Sequence, residues 1–354
     1  MVKRMSQITV NASISYKIEI GKGILADCGR LVKPLKKSGK IAVITDDIVN
    51  GLYGDTVIKA FESDGFEVCR FVFKNGESSK CAATLHEIYD FLAANKITRS
   101  DMIAALGGGV VGDISGFAAA TWLRGIDYVQ IPTTLLAQVD SSVGGKTAID
   151  IAAGKNLVGA FKQPRMVICD ISVLDTLTPQ IFADGMGEVI KYGMIRSKNI
   201  FDSVKSGHFE EKLTEIIEEC ITIKKEIVEA DEFEKRERML LNFGHTFGHS
   251  IEKAQNFSGI THGEAVAVGM CIITHLGIAQ GICTEELYSE LCECLKNNSL
   301  PITTEFDTKM LAEYSLSDKK KLGSVINLIY CTEVGKSEIV PTETDKFIKM
   351  SERG

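Results

Sequence analysis

Short apolar runs that end abruptly in acids or glycines constrain this chain most. Lys40–Asp47 reads KIAVITDD and Asp101–Gly109 reads DMIAALGGG. Neither alternates, as a strand with one wet face would. A run that is apolar on both faces belongs to a parallel sheet covered by helices. Between the two, Val57–Ser63 and Thr84–Ala94 carry helical patterns, and Glu67–Phe73 is a further strand. The polar turn KNGESSK, Lys74–Lys80, opens the second of these helices. Val129–Pro132 is another strand end, and MVICDISVLDTL after Pro164 gives one more. This rhythm predicts a doubly wound α/β sheet of Rossmann type. Residues 1–30 alternate weakly and read as a hairpin or as edge strands. Ligands of such sheets sit outside the carboxyl ends of the strands.

Those ends carry suggestive residues. GGGVVGD, Gly107–Asp113, is not the GxGxxG dinucleotide fingerprint. Its glycines still allow close backbone approach to a pyrophosphate, and a helix beginning near Asp113 offers free N–H groups. A plain βα turn also needs small residues. Asp46 is placed to accept ribose hydroxyls or to cap a helix, and the two readings stand level. Thr133 and Thr134 put two hydroxyls at a strand end. Asp140 leads into SSVGGK, and Lys146 and Lys155 follow nine apart. A loop this dense in Ser, Gly and Lys resembles an anion cradle. A solvated loop is the alternative, although its neighbours are apolar.

The second half reads helical, with a boundary near Thr176–Gln180, giving domains 1–177 and 178–354. Pro179–Ile195 contains GMGEVIKYG, in which Glu188 and Lys191 share a helix face. An acid amid Met, Val and Ile is either half-buried beside its lysine or a ligand. Lys212–Glu237 reads as a charged amphipathic helix, mostly solvated, in which Lys224 could be one more surface charge. Leu241–Glu264, LNFGHTFGHSIEKAQNFSGITHGE, then holds three of the chain's six histidines. His245 and His249 stack one helical turn apart, and His262 follows with Glu264 two residues on. Imidazole suits zinc, and a catalytic zinc site uses three protein ligands with one open position. Helical histidines satisfied locally are the alternative, but this density in a His-poor chain favours metal. Spacing alone pairs His245 with His249. Ala265–Gln280 is a small-residue helix with His275 packed on it. Residues 285–320 read as further helix, and Ser324–Tyr330 as an apolar end segment.

Composition narrows the function. A chain of 354 residues predicts about two domains. Hydrophobic content of 45% with 25% charged residues is that of a soluble globular protein. A net charge of −7 argues against nucleic acid or an anionic membrane as partner. It leaves room for an anionic small substrate, since local lysines decide that. The ten cysteines are scattered with no CxxC pair. With no signal peptide they read as reduced thiols of a cytoplasmic protein. No apolar run approaches the ~20 residues that span a bilayer.

Six motifs in order, GGGVVGD, WLRGIDYVQIPTTLLAQVDSSVGGKTAID, GKNLVGAF, GMGEVIKYG, LLNFGHTFGHSIE and HGEAVAVGM, together resemble the 3-dehydroquinate synthase family of sugar-phosphate cyclases. The resemblance covers nearly the whole chain and is weakest over the first thirty residues and 285–320. It implies an N-terminal NAD-binding α/β domain, a C-terminal all-α domain and an active site in the cleft. It also implies conversion of 3-deoxy-D-arabino-heptulosonate 7-phosphate to 3-dehydroquinate and phosphate. NAD would act catalytically: a hydroxyl is oxidised, phosphate leaves, the ketone is reduced, the ring opens and an aldol step closes the carbocycle.

The resemblance assigns residues as well. Glu188, His245 and His262 would hold zinc or cobalt, and His249 would assist proton transfer, against the pairing that spacing suggests. Asp140, Lys146, Asn156, Lys191, Lys224, Arg238, Asn242 and one lysine of the DKKK run, taken as Lys320, would contact the substrate. Arg124 would reach the substrate of the neighbouring subunit in a homodimer. Asp46, Glu77, Lys80, Gly108, Gly109, Asp113, Thr133, Thr134, Lys155 and Thr176 would contact NAD. The tail LIYCTEVGKSEIV departs from the Leu-Pro common in the family. The competing readings are an inosose or valiolone cyclase, a metal-dependent alcohol dehydrogenase, and a non-catalytic metal-binding scaffold.

Overall fold

In a computed structural model, which describes residues 5–255, 259–317 and 324–352, the apolar runs form the middle of a seven-stranded sheet. Its order is β1-β2-β9-β6-β5-β3-β4. The strands are β1 (Met5–Asn11), β2 (Ser15–Gly21), β3 (Gly39–Asp46), β4 (Phe66–Phe73), β5 (Met102–Gly107), β6 (Asp127–Pro132) and β9 (Met166–Asp170). The chain divides into two compact units, Met1–Leu177 and Thr178–Gly354, and this sheet belongs to the first.

The β1–β2 hairpin is antiparallel and joins the sheet by a parallel pairing of β2 with β9. The remaining pairings are parallel. Helices α1 (Cys28–Val32), α2 (Asp47–Val49), α3 (Asp55–Ser63), α4 (Ala82–Ala94) and α5 (Gly109–Thr121) fill the crossovers. Every residue of β5 is buried, as are the last six of β3. Their inward side chains Ala42, Ile44, Ile103 and Ala105 pack with Ile88 and Leu92 of α4 and Ile114 and Phe117 of α5. Register pairs Thr45 with Leu106 and Leu106 with Ile131. Asp46, Gly107 and Pro132 therefore end their strands at one level.

Two local readings change in this unit. The glycine helix α5 begins at Gly109, capped by extended Gly108, so Asp113 lies inside it. The segment read as a loop around Lys146 and Lys155 is a second antiparallel hairpin, β7 (Lys146–Ile151) and β8 (Gly154–Phe161). A backbone bond from Asp150 N–H to the Lys80 carbonyl at 2.7 Å ties it to the sheet unit.

The second unit is helical: α6 (Pro179–Arg196), α7 (Lys198–Val204), α8 (Leu213–Ala230), α9 (His245–Ala254), α10 (His262–Ala279), α11 (Glu285–Asn297), α12 (Thr308–Ser317) and α13 (Thr344–Ser351). It is not wholly α, because the apolar end segment forms β10 (Val325–Glu333) of a hairpin with β11 (Lys336–Glu343). The predicted helix 212–237 stops at Ala230. There the Asp231 carboxylate accepts from the N–H groups of Lys235, Arg236 and Arg238 and folds the chain into a turn. Residues 298–307 likewise break the predicted 285–320 helix. Helix α10 is long and apolar enough to cross a bilayer by length and composition, but 67% of it is buried inside the fold, as in a core helix. Thr261 and Glu264 close a capping box at its start, which gives Glu264 a structural role.

Candidate functional site

Glycines decide how closely the helices of the second unit approach. A methyl on Gly187 of α6 would lie 2.7 Å from the Gly263 carbonyl oxygen, and one on Gly263 would collide with the backbone of Asp184. Gly269 of α10 meets Gly244 and Gly248 of α9 in the same way. Gly244 also takes φ +78°, a left-handed conformation that suits glycine. The Asp184 carboxylate accepts from the Gly263 N–H and pins the start of α10 to α6. Backbone-to-backbone packing of α6, α9 and α10 therefore brings one side chain from each to a common point.

Those side chains are Glu188, His245 and His262. Glu188 Oε1 lies 3.5 Å from His245 Nε2 and 3.7 Å from His262 Nε2. Their donor atoms all fall within 4.8 Å of one another. Lys191 Nζ forms an ion pair with Glu188 Oε2. His245 Nδ1 lies 3.1 Å from the Phe243 carbonyl oxygen. That contact makes Nδ1 the protonated nitrogen and leaves the Nε2 lone pair facing Glu188. Burial, then the Lys191 charge, hold His245 well below the ordinary imidazole range. For His262, burial pushes down, but hydrogen bonds and charge from Glu188 and Glu252 outweigh it and raise the ring to about 10. A buried carboxylate with two imidazole nitrogens is a donor set that fits zinc or cobalt.

His249 is exposed, with its ring centroid 5.3 Å from that of His245 and 5.9 Å from that of His262. The other donor cluster among the described residues is His249, Glu252 and His262. Neither cluster contains both His245 and His249, the pair that spacing suggests. Glu252 escaped the sequence reading, although it lies seven residues after His245 and so on the same helix face.

Among the described residues, three cations of this unit are nearly inaccessible: Lys191 and Arg238 at 1% exposure and Lys224 at 6%. Lys224 is thus no surface charge, because α8 turns that face onto α6 and the turn Glu237–Asn242. Arg238 donates to the Glu232 carbonyl, and Asn242 Nδ2 donates to Glu234 Oε1 at 2.9 Å. Glu234 sits at φ +58°. A non-glycine residue held there stores strain of about 1–3 kcal/mol, the kind that clusters at working sites. His275, expected as packed, is exposed with its ring 5.5 Å from that of Tyr288.

In the first unit the strand ends gather a second group. Asp46 Oδ1 accepts from the Val49 N–H at 2.9 Å, so Asp46 does cap α2. A methyl on Gly108 would meet Thr134 at 3.0 Å, and the Thr133 N–H reaches the Gly107 carbonyl at 3.0 Å. Lys80 Nζ lies 2.7 Å from Asp113 and 3.7 Å from Glu77, and Lys155 Nζ lies 3.7 Å from Glu77. Charges therefore alternate along Asp113, Lys80, Glu77 and Lys155. Burial disfavours the Lys80 ammonium, but Asp113 and then Glu77 outweigh it and raise its pKa. The Thr176 hydroxyl lies 2.6 Å from that of Tyr53. A turn without Cβ atoms at a sheet's carboxyl edge, rimmed by hydroxyls and paired lysines, fits a pyrophosphate-bearing cofactor.

The other expected contacts are more dispersed. Asp140 lies in the helical turn Ala137–Ser141, and Lys146 is exposed at the start of β7. Asn156 takes φ +56° and donates its N–H to Asp150 at 2.8 Å. Arg124 is exposed at φ +69°, directly after Leu123 at φ +50°. Lys320 lies outside the described residues.

Similarity to known proteins agrees with both halves. The 3-dehydroquinate synthase N-terminal family matches residues 70–184, and the 3-dehydroquinate synthase C-terminal family matches 185–321. A 3-dehydroquinate synthase of Clostridium acetobutylicum is 45% identical over 95% of this chain and 97% of its own. That of Streptococcus thermophilus is 44% identical over 92% and 93%. Among solved structures, a 2-deoxy-scyllo-inosose synthase complexed with carbaglucose-6-phosphate, NAD+ and Co2+ matches at TM-score 0.87 and 26% identity, over 99% of this chain and 100% of its own. A 2-epi-5-epi-valiolone synthase from Streptomyces hygroscopicus with NAD+ and Zn2+ bound matches at TM-score 0.87 and 25% identity, with the same coverage. A butanol dehydrogenase from Thermotoga maritima shares the fold at TM-score 0.63 and 15% identity, over 95% of this chain and 96% of its own. The synthases thus exceed the other cyclases in identity, and those exceed the dehydrogenase; the chain belongs to the 3-dehydroquinate synthase family.

Proposed function

We propose that the chain converts 3-deoxy-D-arabino-heptulosonate 7-phosphate to 3-dehydroquinate and phosphate, using NAD catalytically and a divalent metal held by Glu188, His245 and His262. The activity, 3-dehydroquinate synthase, is that of its family. The observation that carries the residue-level reading is the buried Glu188 carboxylate facing two imidazole Nε2 atoms. Zinc or cobalt bound there would act as a Lewis acid toward substrate hydroxyls, and NAD would accept and return one hydride.

The chain's own groups fit the remaining tasks. His249, exposed beside the ligands, is available to move a proton. Lys191, Lys224 and Arg238 are cations kept from water, where contacts to a substrate carboxylate or phosphate count most. Asn242, Asp140, Lys146, Asn156 and Lys320 complete the substrate contacts that the resemblance assigns. Asp46, Glu77, Lys80, Gly108, Gly109, Asp113, Thr133, Thr134, Lys155 and Thr176 serve NAD in the same assignment. A homodimer with Arg124 acting across its interface is supported by apolar side chains left in solvent: Leu123, Ile151, Leu157, Val158 and Phe161. Ten free thiols support a cytoplasmic setting.

The ligand assignment is tested by metal content. His262→Ala should lose metal and nearly all turnover while staying folded. His249→Ala should keep one metal equivalent and turn over slowly. A metal-replete His262→Ala, or a metal-free His249→Ala, would overturn the assignment.

A further inference from the structure

We infer that Glu252 is a positioning residue, whose carboxylate orients His262 so that Nε2 faces Glu188 and His245. The inference rests on the ligand reading above. Glu252 is buried on α9, with Oε2 3.5 Å from His262 Nδ1. The opposite nitrogen of the same ring lies 3.7 Å from Glu188. The imidazole is thus bracketed by two carboxylates from two helices, one on each nitrogen. A metal-binding histidine needs its outer N–H held by an oxygen, which fixes the tautomer and the ring plane and raises ligand basicity. His245 takes that oxygen from the Phe243 carbonyl beside its own helix start. His262 opens α10, and its oxygen comes instead from the neighbouring α9. The contact at Gly244, Gly248 and Gly269 is what brings that carboxylate within reach. Burying an anion here is unfavourable unless it meets a donor, and the His262 Nδ1–H faces it at 3.5 Å.

The test compares Glu252→Ala, Glu252→Gln and His262→Ala. Each protein is stripped by chelator and titrated with Zn2+ and Co2+ against a competing chelator, with the cobalt absorption spectrum and circular dichroism recorded. Glu252→Ala should still bind one equivalent at saturation, with affinity lowered about 10- to 100-fold and an altered cobalt spectrum. Glu252→Gln, whose amide oxygen accepts the same N–H, should fall between it and the native chain. Wild-type affinity in Glu252→Ala overturns the inference and leaves the ligands standing. Failure of Glu252→Ala to reach one equivalent makes Glu252 a ligand and also overturns it. If the alanine variant does not fold, wild-type affinity in Glu252→Gln overturns it instead. A His262→Ala variant that binds metal normally removes the ligand reading, and the inference with it.

Discussion

Lys191 and Glu188 form a buried ion pair three residues apart on α6, and that pair concentrates the chemistry of the helical unit. Lys191 is also the largest charge acting on His245. Removing it should weaken handling of an anionic substrate and leave the residues proposed for NAD untouched. Lys191→Ala is expected to lower kcat/KM by about ten- to a hundredfold, the cost of one charge-assisted contact of about 1.5–3 kcal/mol. NAD affinity, followed by fluorescence titration, should be unchanged. At this scale the sequence was legible in residue types more than in partners. His245 and His249 announce themselves by spacing, yet the donor that meets His245 is Glu188, far back in the chain. Lys224 read as a surface charge because amphipathic periodicity cannot tell a face packed on another helix from one in water. Glu252 has the periodicity of a ligand-side residue, but nothing local marks it as partner to His262.

Among the elements, the glycines of GMGE, GHTFGH and HGE set helix separation rather than flexibility. Gly263→Ala should push α10 off α6. Overpacking of this kind typically costs about 1–3 kcal/mol, and metal affinity should fall with stability if the proposed ligands, which ride on those helices, hold the ion. Thermal melts and chelator competition on the variant measure both, and unchanged values would contradict the packing argument. In the sheet, Asp101 ties the strand starts together by accepting from Thr98 and from the Lys40 N–H. Burial alone would raise its pKa, but those hydrogen bonds, led by the Thr98 hydroxyl, hold it below the usual 3.8. A depressed carboxyl stabilises the fold above its unfolded pKa, and that contribution is lost as pH falls through the folded value. Asp101→Asn should therefore cost about 1–3 kcal/mol near neutrality, with the gap to the native chain closing below pH 3.8. The parallel strands were readable as unbroken apolar runs. The β7–β8 hairpin was not, since GGK and AAGKN look like loop chemistry and Ile151, Leu157, Val158 and Phe161 stay in solvent while Ile149 is buried. Turn-forming residues outweighed a weak strand pattern there.

At the scale of the whole molecule, an acidic chain has buried cations in one unit and a glycine-edged strand terminus in the other. A dehydrogenase needs the second feature with a metal. A cyclase needs both, because the transient ketone serves to acidify a C–H so that phosphate can leave. Sedimentation at assay concentration should show a dimer, and an active monomer there would remove the role given to Arg124. The central claim is that the hydride returns in each turnover. The measurement is phosphate release from the heptulosonate phosphate with NAD+ far below the substrate concentration, read alongside absorbance of NADH. Phosphate should be released many times per NAD+ with no steady rise in NADH. Accumulation of NADH in step with product would contradict the cyclase mechanism and make the chain a dehydrogenase.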